Sequence, residues 1–165
     1  MMRFSYSTLA GLLLVLAPVP AVVFGQSAQS PAASPPATPE YHPSMGDLMT
    51  MAIQPRHTKL GLAGQHRNWT YAAYELSELR NAFARIARTI PSYRNSDMTA
   101  LIDAMTREPL SAVEQAIHAA DSKRFSIAYE RLTAVCNGCH RSQDHAMVVI
   151  KVPRGDVYPD QDFAH

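Results

Sequence analysis

The chain's only two cysteines stand three apart and are followed at once by a histidine, in Cys136-Asn137-Gly138-Cys139-His140. Residues three apart on a helix share a face. Both sulfurs can therefore reach the two vinyl positions along one porphyrin edge, while the adjacent imidazole projects toward the iron from the same turn. Neutral imidazole is a good axial ligand for haem iron, and thioether bonds keep the cofactor from being lost. The pattern is that of c-type haem attachment. It predicts one covalent haem c, with Cys136 and Cys139 as anchors and His140 as the proximal axial iron ligand.

Other chemistries use the same residue types. A disulfide between Cys136 and Cys139 suits an oxidising compartment but leaves His140 without a task. A thioredoxin-like redox pair belongs beside a βαβ pattern, and the sequence shows none. A zinc site needs four ligands, so at least two distant histidines would have to converge. A chance match on an unrelated helix is the plainest alternative. An export signal, a helical context and the lack of further cysteines weigh toward haem.

A second iron ligand would have to come from the opposite face. His145 follows on the same helix and is poorly placed to cross a porphyrin. Antiparallel pairing of the first and last helices sets His140 near Met49 and Cys136 near Ile53. Met49 and His57 are the candidate distal ligands. The plainer role for Met49 is core packing; for His57 it is a buried histidine bonded to a carboxylate such as Glu75 or Glu78.

The elements that must position these groups are helices. Trp69, Ala72, Leu76, Leu79, Phe83, Ile86 and Ile90 recur at intervals of three and four, and Pro91-Ser92 and Asn95-Ser96 end that helix in a turn. Ser44 is a good N-cap for an earlier helix reaching about Gln65, in which Pro55 removes a backbone donor and should kink the chain. Met98, Leu101, Ile102 and Met105 make a short apolar face, after which Pro109 opens a separate segment bearing Leu110, Val113 and Ile117. The last helix starts at Asp121-Ser122 and carries Phe125, Tyr129, Leu132, Cys136 and Cys139 on one side. Val148 to Pro153 reads as an extended tail packed over the helices, because a lone strand has no sheet to join. Amphipathic helices with short connections bury their stripes most simply as an antiparallel four-helix bundle, an all-α fold.

Residues 1–25 read as a secretory signal peptide: a weakly basic start, a short apolar run from Leu9 to Ala17, then Pro18, Pro20 and small residues suited to cleavage. The run is too short to span a bilayer, which takes ~20 apolar residues. Residues 26–43 hold Pro31, Pro35, Pro36, Pro39 and Pro43 among Ala, Ser and Thr, the composition of a tether. The haem domain is expected over 44–145 and the tail over 146–165. A net charge of +1, with Arg56, Lys59, Arg67, Arg80, Arg85 and Arg88 scattered singly, argues against a nucleic-acid partner.

The late attachment motif on a fourth helix resembles cytochrome c′ and its relatives, the class II c-type cytochromes, over roughly Ser44 to His145. The resemblance implies a bacterial periplasmic protein, and the chain is not expected to be an enzyme. It implies roles in electron transfer with redox partner proteins, or in binding nitric oxide or carbon monoxide at an open distal position, and the homodimer common in the family. Pro55, a split third helix and the residues after His140 depart from the family's pattern. The ordinary c-type class, with an early motif and a late methionine, fits less well: only the tail, with Met147, remains to enclose the haem. A small peroxidase would need a distal acid–base group, for which His57 is the sole candidate.

Overall fold

Ser44 opens the first helical arm as its side chain allows. The Asp47 amide donates to Ser44 Oγ at 3.1 Å, and the Ser44 amide donates back to the Asp47 carboxylate at 2.9 Å. This reciprocal cap satisfies two of the donors that a helix start leaves unpaired. The computed structural model describes residues 41–155 and 157–164. The signal peptide and all but the last three residues of the proline-rich tether lie outside the described residues.

The first arm is built from α1 (Met45–Leu48), a π-helical turn (Met49–Ile53) and α2 (Gln54–Gln65). Pro55 stands at the start of α2. With no N–H to give to the preceding turn, it is accommodated by the wider π turn just before it, a local adjustment that often marks a functional position. Next come α3 (Trp69–Thr89), a two-residue hairpin of β1 (Ser92–Tyr93) with β2 (Ser96–Asp97), α4 (Met98–His118) and α5 (Ser122–Ser142). Asn68, Asp97 and Asp121 cap α3, α4 and α5 through their side chains.

One expectation is corrected. Pro109 does not divide the third helix, which runs unbroken from Met98 to His118. A mid-helix proline costs about 3 kcal/mol. Here Pro109 is itself buried, and Met98, Leu110, Val113 and Ile117 lock the helix into the core on both sides of it. Tertiary burial outweighs the one lost bond.

The helical arms pack side by side, α2 on α3, α3 on α4, α4 on α5, and α5 back on α2, so the chain is mostly helical with one shared core. Leu60, Ala72, Leu79, Ile86, Val113 and Leu132 sit at its centre. Gly61 and Gly64 let α2 approach α5 closely: a β-carbon on Gly64 would stand 2.0 Å from the Phe125 ring, and one on Gly61 2.5 Å from the Tyr129 hydroxyl. After α5 the described residues form no further helix or strand, yet Val152 packs against the core and Phe163 is buried beside Tyr71. No helix among the described residues is long and apolar enough to cross a membrane.

Candidate cofactor site

Between the π-helical turn and the C-terminal half of α5 lies a cavity of about 310 Å3. Cys136, Cys139 and His140 of α5 line it, as do Met49 and Ile53 of the π-helical turn. Antiparallel counting had set these same residues near each other. Ile102 and Met105 from α4, Met45 from α1, Met98 at the head of α4 and Phe83 from α3 add to the lining, which is largely apolar. Small-molecule sites typically measure ~300–1,000 Å3 with such a lining and a few convergent polar groups.

Burial acts on the thiols. Cys136 is pushed up to about 11, first by desolvation and then by the neighbouring Cys139 sulfur, and desolvation also raises Cys139. Both are protonated and weakly nucleophilic at neutral pH, unlike the low-pKa thiolate of a disulfide oxidoreductase. Both are free.

His140 is held from behind. Its Nδ1 lies 2.8 Å from the carbonyl oxygen of Val148 in the tail. A carbonyl can only accept, so Nδ1 carries the proton and Nε2 keeps its lone pair. A hydrogen bond of this kind is the usual partner of an imidazole that ligates a metal. Asn137, inside the motif, is bonded twice to Ile150: its Nδ2 donates to the Ile150 carbonyl at 2.9 Å and its Oδ1 accepts from the Ile150 amide at 2.7 Å.

His57 also borders the cavity, but its ring is occupied. Nε2 lies 3.0 Å from Thr133 Oγ1, and Nδ1 lies 3.1 Å from the Tyr129 hydroxyl. Thr133 gives its own proton to the Tyr129 carbonyl at 2.9 Å, so its oxygen accepts from His57 Nε2–H. Desolvation lowers His57 to about 4, and the ring is neutral at pH 7. The partners are hydroxyls rather than the carboxylates expected from sequence. Glu75 and Glu78 turn to Arg56 instead, at 3.2 and 3.7 Å. His145 is engaged as well, through Nε2 and the Tyr93 hydroxyl at 3.0 Å. Met49 is a soft donor in the lining, as are Met45, Met98 and Met105.

No family model, no curated protein and no solved structure matches this chain. The site must speak for itself. Among the described residues no three His, Cys, Asp or Glu side chains converge to hold a bare metal ion, so the further ligands a zinc site requires do not gather at Cys136 and Cys139. A haem needs less: two thiols on one helix face, one imidazole with a free Nε2 lone pair, and an apolar chamber. This donor set fits. A wider surface groove of about 600 Å3 between α3 and α4 holds the Arg80–Glu114 pair at 2.7 Å, but no cysteine or histidine lines it.

Sequence reasoning missed four participants. Asn137 was only a spacer in the motif, Val148 was only tail, and Met98 and Met105 were read as one short apolar face. The spacing of seven between those two methionines was the visible sign that both could meet one cavity.

Proposed function

We propose that this chain is an exported, mono-haem c-type cytochrome that carries electrons between partner proteins. Cys136 and Cys139 hold the haem through thioether bonds, and His140 is its proximal ligand. The observation that supports this reading is the gathering of both cysteines, the following histidine and a methionine-rich apolar wall around a single cavity. When bound, haem c supplies an iron that exchanges one electron between its ferric and ferrous states. The chain's own residues do the rest. Met45, Met49, Ile53 and Ile102 exclude water from the distal side, and His140 offers Nε2 from a fixed ring. The fold is then the antiparallel four-helix bundle of a class II c-type cytochrome, and the compartment is the periplasm.

A second reading, a binder of nitric oxide or carbon monoxide, is favoured by the same distal wall. Both His57 nitrogens face hydroxyl oxygens at 3.0 and 3.1 Å, so the methionines of the lining, Met49 among them, decide whether the distal position is filled. A peroxidase finds less support, since a buried histidine lowered to about 4 and enclosed by the Thr133 and Tyr129 hydroxyls is not poised to move protons.

The test is expression of the whole chain in a bacterium with c-type haem maturation, followed by haem staining on a denaturing gel. The unmutated protein should stain, and the Cys136→Ala/Cys139→Ala variant should not. An unstained parent chain, or a double variant that keeps its stain, overturns the proposal.

A further inference from the structure

The described C-terminal tail does not trail from the helices; it is tied down along its length. Gln65 Nε2 donates to the Pro153 carbonyl at 3.1 Å, and Gln161 donates to the Tyr71 hydroxyl at 2.6 Å. Tyr71 in turn donates to the fully buried Glu75 carboxylate at 2.5 Å. Lys59 Nζ lies 4.9 Å from the centre of the Tyr158 ring. These anchors fasten the tail to α2 and α3. The two remaining ones fasten it to the Cys-x-x-Cys-His turn itself, through Asn137 and His140.

The pattern at the turn is specific. Asn137 uses both ends of its amide on both backbone groups of Ile150, which fixes the register of the strap against α5. Two residues earlier, that register brings the Val148 carbonyl to His140 Nδ1. Val148 itself is about half exposed, so it is not held there by burial in the core. The local turn supplies one more tie, Val148 N–H to the His145 carbonyl at 2.9 Å. An asparagine in the middle of the motif therefore acts on the histidine at its end by way of the tail.

We infer that the Val148–Ile150 strap, clamped by Asn137, is a positioning device that fixes the His140 tautomer and strengthens His140 as a ligand. Asn137 is the positioning residue and the Val148 carbonyl is its agent. This rests on the reading of His140 as an axial ligand. A hydrogen bond from Nδ1 leaves Nε2 unprotonated, sets the ring's orientation and raises the basicity of the ligating nitrogen. A more basic axial ligand favours ferric over ferrous iron, so the clamp holds the midpoint potential down. Without it the ring would sample the Nε2–H tautomer, which cannot ligate until the proton moves.

The experiment uses the full chain, with Asn137→Ala removing both bonds and Asn137→Asp keeping only the acceptor for the Ile150 amide. In haem-loaded protein the midpoint potential should rise in Asn137→Ala, with Asn137→Asp between it and the parent. In the same chain purified without haem, nitrogen-15 NMR of the His140 ring should show one Nδ1–H tautomer in the parent and a mixture in Asn137→Ala. Circular dichroism checks that each variant folds, and if Asn137→Ala does not, Asn137→Asp carries both measurements. If neither tautomer nor potential moves in a folded variant, the inference is overturned. If the chain takes up no haem but the tautomer still shifts, the cytochrome reading falls while the clamp on His140 stands.

Discussion

His57 lies stacked on Tyr129, their ring centres 4.8 Å apart, and the tyrosine hydroxyl donates to the His57 carbonyl at 2.6 Å while lying 3.1 Å from its Nδ1. This joins the first helical arm to α5 just below the cavity. The ring is 3% exposed and is held neutral by desolvation, which lowers it from 6.5 to about 4. In the unfolded chain the same group takes a proton near pH 6.5. Between these values the unfolded state binds more protons, so stability falls as pH drops from 6.5 toward 4 and is constant in this respect above and below. The loss from this one group should reach about 3 kcal/mol at most. Urea unfolding of the parent and of His57→Gln at pH 7 and pH 4.5 measures it: the parent should lose more stability than the variant. Equal losses would mean that another group governs the acid limb.

Gly64 faces the Phe125 ring at a distance that leaves no room for a methyl group, 2.0 Å from a β-carbon to the nearest ring atom. Phe125 cannot swing aside, because it stacks on Tyr129 and meets the edge of Trp69. Gly64→Ala should therefore destabilise the protein by about 1–3 kcal/mol through overpacking. That is opposite in sign to the usual gain from replacing a helical glycine with alanine. Thermal unfolding of the haem-loaded variant checks it, and a higher melting temperature would refute the close approach of α2 and α5.

The sequence displayed what repeats and hid what depends on a partner. The stripe from Trp69 to Ile86 marked α3 because an amphipathic helix repeats its burial every three or four residues. The caps at Ser44 and Asp121 were readable because a side-chain oxygen must meet a local amide. Cys136, Cys139 and His140 stood out by type and spacing alone, and counting along paired helices was enough to bring Met49 and Ile53 to the same cavity. Pro109 misled because its local penalty is visible in sequence while the burial that offsets it is not. The hydroxyl partners of His57 were equally out of sight: Thr133 and Tyr129 are more than seventy residues away. The same holds for the hold of Asn137 on Ile150, since a tail without periodicity gives no register.

The cavity predicts that haem contributes to the fold as well as to its chemistry. Small domains bury a limited fraction of their surface, and here a chamber of about 310 Å3 opens among otherwise packed helices. Filling it with a covalently held apolar disc should stabilise the folded state, so the Cys136→Ala/Cys139→Ala protein should unfold at lower temperature and less sharply than the loaded parent. Calorimetry of both forms decides this. Coincident transitions would show that the helices need nothing in the cavity.

The last prediction concerns the distal position, where one bond separates a carrier from a gas binder. Met49 begins the π-helical turn and borders the same cavity as the motif. Met105, by contrast, lies against the motif's own turn, with its Cε 3.4 Å from where a Gly138 β-carbon would stand. A thioether is a competent sixth ligand for haem iron. If Met49 ligates, reduced protein should be low-spin and carbon monoxide should bind slowly, because the sulfur must leave first. Met49→Ala should then turn the reduced spectrum high-spin and speed carbon monoxide uptake, while His57→Gln should leave both nearly as they were. Thr133→Val separates the two histidine roles further: it strips Nε2 of its acceptor and should cost about 1–3 kcal/mol of stability without changing spin state. A reduced parent protein that is already high-spin and takes up carbon monoxide rapidly would assign the open-site, gas-binding function instead, with Met49 serving only as part of the apolar wall.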